Sequence, residues 1–156
     1  MNLKLATMED FEDVYEMALS FLKESPYRDI SYSIPKIESF IRLFLEDNGT
    51  ERVCILALSQ ENKPIGIIAG LLNSVPFSDH LVTSEVMWWV HPEARGVSRA
   101  AVELLGAFEH WGRIRGSSFV QMQSLAALNG FKVGKLLNRL GYEEKEITYL
   151  KDMKVN

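Results

Sequence analysis

Glu85-Val86-Met87-Trp88-Trp89-Val90-His91-Pro92-Glu93-Ala94-Arg95-Gly96-Val97-Ser98-Arg99-Ala100-Ala101 joins a β-rich run to the start of a helix through a proline and a string of small residues. Pro92 lacks a ladder donor and fixes its own φ, so the strand ends at His91-Pro92. From Ser98 the apolar residues Ala101, Leu104, Leu105, Phe108 and Trp111 recur at helical spacing, and the helix should reach about Arg115, with Gly116 as its stop. A strand that feeds a helix in this way aims free backbone N–H groups and the positive end of the helix dipole at one place, which suits an anion. Gly96, Ser98, Ala100 and Ala101 are small enough to let a pyrophosphate approach the main chain, and Arg95 and Arg99 add charge. An ordinary strand-to-helix connection has the same composition, so the stretch alone leaves both readings open.

Working outward, Leu3-Lys4-Leu5-Ala6 alternates as a short strand. Thr7 with Asp10 three residues later forms a capping-box pattern, predicting a helix from Met8 that Ser25-Pro26 stops. A loop covers Tyr27 to Ser33, and Pro35 opens a second helix that Asp47-Asn48-Gly49 ends. Val53 to Leu58 and Pro64 to Leu72 read as a hairpin, and Ser84 to Val90 as the next strand. Beyond the long helix come a strand at Ser118 to Gln123, a helix from Gly130 to Leu140 closed by Gly141, and a last strand from Tyr142 to Asp152. The expected fold is mixed α/β (α+β): a mostly antiparallel sheet with one parallel crossover, helices on both faces, and a single domain spanning 1–156.

The run His91 to Ala101 resembles the acetyl-CoA pyrophosphate loop of the GNAT N-acyltransferase superfamily, Arg/Gln-x-x-Gly-x-Gly/Ala, with Arg95, Ser98 and Ala100 in the three defined positions. Leu140-Gly141-Tyr142 is similar to the family's Leu-Gly-Phe turn, and the Glu-x-x-Trp-Trp-Val-x-Pro-x-x-Arg-Gly run resembles small phage-encoded members. The resemblance implies acetyl-CoA as co-substrate and an amine acceptor. It also implies that the backbone of Trp88, Trp89 and Val90 pairs with the pantetheine arm as an added strand, that Arg95, Gly96, Val97, Ser98, Arg99, Ala100 and Ala101 hold the pyrophosphate, and that Asn129 contacts the cofactor. Two positions depart from the pattern. Ser98 replaces the middle glycine, and Leu137 stands where the family usually has a tyrosine general acid.

Acetyl transfer to an amine requires a base, and Glu85 is the candidate because it opens an otherwise apolar strand run where desolvation would raise its pKa. Ser84 and Glu85 point to opposite faces, so a register error of one residue exchanges their roles. Tyr149, beside Thr148 in the expected closing strand, is the substitute proton donor. Tyr27 and Tyr32, in the aromatic and polar segment between the first two helices, are expected to bind the acceptor. Trp88 and Trp89, adjacent in a strand, must face opposite sides of the sheet. The function expected is therefore transfer of an acetyl group from acetyl-CoA to a primary amine by direct attack in a ternary complex. The alternative is a non-catalytic CoA-binding or regulatory module.

Composition narrows the field. With 47% hydrophobic and 24% charged residues in 156, the chain is globular, and about 70% of its unfolded surface should be buried. The single cysteine, Cys54, in an apolar strand pattern, reads as a buried thiol and gives neither a disulfide nor a covalent acetyl-enzyme. His80, His91 and His110 lack metal-ligand spacing, so no metal is expected. Gly130-Phe131-Lys132-Val133-Gly134-Lys135-Leu136 fails as a P-loop on both spacing and the missing hydroxyl. The net charge of −4 disfavours a nucleic-acid partner. Residues 1–51 hold 5 basic and 11 acidic side chains, an excess that could draw a cationic amine, small molecule or protein. No run approaches the ~20 apolar residues of a membrane span, and the N-terminus lacks a leader pattern, so the cytoplasm is expected. A homodimer is compatible with all of this.

Overall fold

The computed structural model describes residues 1–125 and 130–153. It divides into two compact units, Met1–Gln123 and Ser124–Asn156. In the first unit β1 (Asn2–Leu5) leads through a 3-10 turn at Met8–Asp10 into α1 (Phe11–Glu24). The Asp10 carboxylate accepts the Thr7 N–H at 2.9 Å, so the capping-box pattern is real, but it closes the 3-10 turn and the α-helix proper starts three residues later than Met8. Pro35 sits in the first turn of α2 (Ile34–Asp47), which ends at Asn48 in the left-handed conformation (φ 56°). Asp47 Oδ1 then accepts the N–H groups of Thr50, Glu51 and Arg52, each at 2.8 Å, and so aims the chain into β2 (Arg52–Leu58).

β3 (Pro64–Ser74), β4 (Leu81–Val90), α3 (Ala100–Ile114) and β5 (Phe119–Gln121) complete this unit. The five-stranded sheet has the order β1-β2-β3-β4-β5. All neighbours are antiparallel except β4 and β5, which α3 joins as a parallel crossover. Strand alternation separates two cores. Cys54, Leu56, Ile67, Ala69 and Trp89 pack with Val14, Met17, Ile41, Phe44 and Leu45 of α1 and α2. Val53, Ile55 and Ile68 alternate to the opposite face, which Leu104, Leu105, Phe108 and Trp111 of α3 cover. Helices therefore lie on both faces of this sheet, as expected.

α3 lies close to the sheet. At Gly70 a Cβ would stand 2.4 Å from both Phe108 Cζ and the Ser84 carbonyl, so only glycine admits the ring there. Opposite this position the ladder slips: Ala69 pairs with Met87 and Gly70 with Glu85, leaving Val86 as the extra residue of a β-bulge. At the far end of α3 the buried Trp111 indole N–H donates to the Gly49 carbonyl at 2.8 Å. Trp111→Phe orphans that carbonyl and leaves part of the indole's space empty. A loss of about 1 kcal/mol and a Tm lower by roughly 2–4 °C are expected by thermal circular dichroism.

The second unit contains α4 (Gly130–Arg139). Its end at Leu140-Gly141-Tyr142 is a helix cap in which Tyr142 N–H donates to the Leu137 carbonyl and Gly141 N–H to that of Asn138. The closing strand expected at Tyr142 to Asp152 is absent: those residues are irregular, and Ile147, Tyr149 and Leu150 are all exposed. A strand exists only through its ladder, and a β-prone sequence without a paired neighbour does not make one. Asn129 lies outside the described residues.

Candidate functional site

β4 carries the site. It pairs with β5 only from Val82 opposite Phe119 to Ser84 opposite Gln121. Beyond that point, among the described residues, the β5 side of Glu85 to Val90 is an open sheet edge. His91 N–H donates to the Ile65 carbonyl at 2.8 Å, which makes Val90 and Gly66 a non-hydrogen-bonded pair. Alternation then turns the main-chain groups of Trp89 toward β3 and those of Trp88 and Val90 toward the open edge. Of the three residues expected to offer backbone to an extended ligand, Trp88 and Val90 have main-chain groups facing the open edge, where the Val90 carbonyl already accepts from Arg95. Trp89 instead serves the α1 and α2 core with its side chain and β3 with its backbone.

The bulge at Val86 decides where Glu85 points. Glu85 is opposite Gly70 and Trp88 opposite Ile68, both on the α3 face, although three residues of regular strand would place them on opposite faces. Glu85 is 6% exposed, and its Oε2 accepts the Gln123 N–H at 3.1 Å. Burial pushes its carboxyl up to about 7 against that one hydrogen bond, which stabilises the charged form. The Trp88 indole N–H is buried without an acceptor among the described residues. Ser84 faces the other way, accepting from Asn73 and donating to Gln121. The register ambiguity is thereby resolved in favour of Glu85 as the buried carboxylate.

After Val90 the chain makes a 3-10 turn at Pro92–Ala94 and enters α3 at Ala100. Gly96 has φ +77° and open space where a Cβ would stand, and Val97 is 82% exposed. The N–H groups of Gly96, Val97, Arg99, Ala101 and Val102 find no backbone acceptor among the described residues, the last two because a helix's first turn has none to offer. Ser98 does not add a free hydroxyl: its Oγ donates to the Ala94 carbonyl at 2.8 Å and accepts the Ala100 N–H at 3.3 Å. Ala100 is fully buried and contributes packing.

Arg95 also departs from expectation. Its Nε donates to the Val90 carbonyl at 2.7 Å, its Nη2 donates to both oxygens of Glu24 at 3.1 and 2.8 Å, and the guanidinium lies 5.6 Å from the Trp89 ring centroid. Arg99 has no hydrogen-bond or ion-pair partner of its side chain among the described residues. A turn with several N–H groups lacking backbone acceptors, running into a helix N-terminus, has the chemistry that suits a phosphate group. Five residues of strand, about 16 Å, separate Val90 from the buried carboxyl of Glu85, so an extended chain anchored at the turn and lying on the open edge would bring its far end to Glu85.

No family model matches the sequence, and no curated protein is similar to it. Solved structures are similar across almost the whole chain. The aminoglycoside acetyltransferase AAC(6')-Iy, in complex with the bisubstrate analogue CoA-S-monomethyl-acetylneamine, superposes with a TM-score of 0.75 at 16% identity, covering 97% of each chain. The ribosomal-protein-alanine N-acetyltransferase of Brucella melitensis biovar Abortus 2308 superposes at 0.72 with 12% identity, covering 98% of this chain and 100% of that one. This chain has the GNAT fold. A structure called a transcriptional regulator, from Bacillus halodurans C-125, superposes at 0.77 with 15% identity over 97% and 99% of the two chains, so the GNAT fold and its occupation are separate questions.

The remaining expected residues lie elsewhere in the GNAT fold. Tyr27 and Tyr32 occupy the α1–α2 connection, where Tyr32 Oη donates to the Leu22 carbonyl and Tyr27 N–H to the buried Ser25 hydroxyl, so the connection hangs on the last turn of α1. Tyr149 is 89% exposed in the irregular segment of the second unit. Cys54 is buried and its thiol is pushed up to about 12, leaving it neutral and inert. An apolar depression lined by Leu3, Leu5, Val53, Ile55 and Trp111 lies at the β1 side of the sheet, far from this chemistry. No helix among the described residues is long and apolar enough to cross a membrane, and no cluster of metal-ligating side chains occurs among them. Sequence reasoning missed Glu24 and the Gln123 N–H. Glu24 carried no signal beyond its place one residue before the Ser25-Pro26 stop.

Proposed function

We propose that this protein is an acetyl-CoA-dependent N-acetyltransferase. One observation carries the reading: a buried carboxyl with its pKa near neutrality stands on a strand whose open edge runs into a phosphate-sized turn of free N–H groups. The turn from Gly96 to Ala101, with Arg99, takes the pyrophosphate, Trp88 and Val90 offer main-chain groups to the pantetheine arm, and the acetyl thioester comes to rest near Glu85. Asn129 is assigned to the same ligand on the family resemblance alone.

An amine must be neutral to attack. Glu85, half ionised near pH 7, accepts a proton from the ammonium directly or through water, and the freed lone pair adds to the thioester carbonyl. The C–N bond forms, the now cationic nitrogen gives up a second proton to solvent, and the C–S bond breaks. The departing thiolate takes its proton from water or from Tyr149, because Leu137 cannot supply one. Attack is direct, in a ternary complex, since the only thiol is buried and neutral. The acceptor is a primary amine, cationic before reaction, held near Tyr27 and Tyr32. The aminoglycoside-derived half of the bisubstrate analogue bound by AAC(6')-Iy supports an amine acceptor. The whole chain, 1–156, serves this one activity in the cytoplasm.

Release of free thiol from acetyl-CoA across a panel of amines tests the proposal. Amine-dependent turnover is expected. CoA binding without turnover on any amine would instead support a non-catalytic CoA-binding module, the reading that Leu137 favours.

A further inference from the structure

Glu24 is the last residue of α1, and it ties together three parts of the chain. Its Oε1 accepts the Trp89 indole N–H at 3.1 Å and an Arg95 Nη2 N–H at 3.1 Å, while Oε2 accepts from the same Nη2 at 2.8 Å. Arg95 passes the tie onward through its Nε to the Val90 carbonyl, on the open edge of β4. One residue after Glu24, the buried Ser25 hydroxyl holds the head of the α1–α2 connection by accepting the Tyr27 N–H.

We infer that Glu24 is a positioning residue for acyl-CoA binding, acting through Arg95; the inference rests on the function proposed above. The physical need is plain. Between Val90 and Ala100 the turn contains a glycine at positive φ and several N–H groups with no backbone acceptor among the described residues, and its internal backbone hydrogen bonds run only between His91 and Ala100. Those bonds shape the turn, whose ends are fixed by the His91 N–H on the Ile65 carbonyl and by the buried Ala100, but they do not tie the stretch between those ends to the rest of the protein. Arg95 makes the attachment, and Glu24 holds Arg95. Without that carboxylate, the Arg95 side chain, already 39% exposed, gains rotameric freedom and releases the Val90 carbonyl. The N–H groups that face the phosphates then lose their fixed orientation, which lowers affinity with no change at the reacting carbon. Because Glu24 also borders the connection carrying Tyr27 and Tyr32, it links the acceptor side of the site to the cofactor side.

Titration calorimetry with CoA on the full chain, for the wild type, Glu24→Gln, Glu24→Ala, Arg95→Ala and the double alanine variant, tests this. Glu24→Gln keeps an oxygen for the Trp89 indole, so it preserves the packing of α1 while removing the charge that holds Arg95. A partly exposed pair in which one guanidinium nitrogen meets both carboxylate oxygens supports an expected rise in Kd of about two- to fivefold. KM for acetyl-CoA should rise by the same factor with kcat within twofold, and the double variant should bind no worse than Arg95→Ala alone. The indole N–H resonance of Trp89 should move in Glu24→Ala. Unchanged CoA affinity in both Glu24 variants, or losses that simply add in the double variant, overturns the inference while leaving the proposed function standing. A wild-type chain that binds no CoA removes the proposed function and this inference together.

Discussion

Glu85→Gln is expected to lower kcat/KM by about 100-fold at pH 7, the contribution of a well-placed general base. Glutamine preserves the shape of the side chain and keeps an oxygen for the Gln123 N–H, but it cannot take a proton. The wild-type profile should climb through pH 7, where the buried carboxyl ionises, and flatten above it. The variant should show only the slope that comes from free amine. Stability should move the other way. The carboxyl's ordinary value of 4.5 is raised to about 7 in the fold, so the folded state favours the protonated form. That contribution is complete below about pH 4.5 and is lost as pH rises through 7, leaving the ionised form up to about 3 kcal/mol less favourable at pH 8. Glu85→Gln should thus gain stability relative to the wild type between pH 5 and pH 8 in urea unfolding while losing activity. Full activity of the variant from pH 6 to 9 would make Glu85 structural and pass the proton to solvent.

Val97→Glu should weaken CoA binding by ten- to a hundredfold, or about 1.4–2.7 kcal/mol. Val97 is 82% exposed beside the free N–H groups of the turn, so the new carboxylate meets bound phosphates without disturbing any packing. An acid just before α3 complements the helix dipole, and the Tm should hold or rise slightly. This separation of binding from stability is unavailable at Ala100. A bulky residue there would strain the core, because Ala100 is fully buried. Calorimetry on a variant with an intact circular dichroism spectrum decides the matter, and unchanged affinity would remove the turn as the phosphate site.

Short-range rules account for the parts of the fold legible in the sequence. Pro35 opens α2 and Asn48 closes it, the Thr7 and Asp10 pair starts the first helical turn, and Gly141 caps α4, because each signal acts on backbone within a few residues of itself. The strand, turn and helix from Glu85 to Ala101 belong to the same class, and so did the crossover that makes β4 and β5 parallel, since a strand, a long helix and a strand leave few ways to pack. Where a sequence signal needed a distant partner, it failed or was mute. The run from Tyr142 to Asp152 has strand composition and no strand, since β structure is made by a neighbour and not by propensity. Arg95 carries a charge suited to phosphate, yet a carboxylate 71 positions away holds it. The residue pattern of β4 contains nothing that marks a bulge at Val86, which lies opposite Gly70 of the neighbouring strand, where Phe108 of α3 presses against the sheet. The sequence by itself determined which residue types could bind phosphate and take a proton. Only the tertiary structure decided that Glu85 and Trp88 share a face, that Glu85 is dry enough to titrate near neutrality, and that Arg95 fastens the turn, because desolvation and register depend on atoms brought together from across the chain.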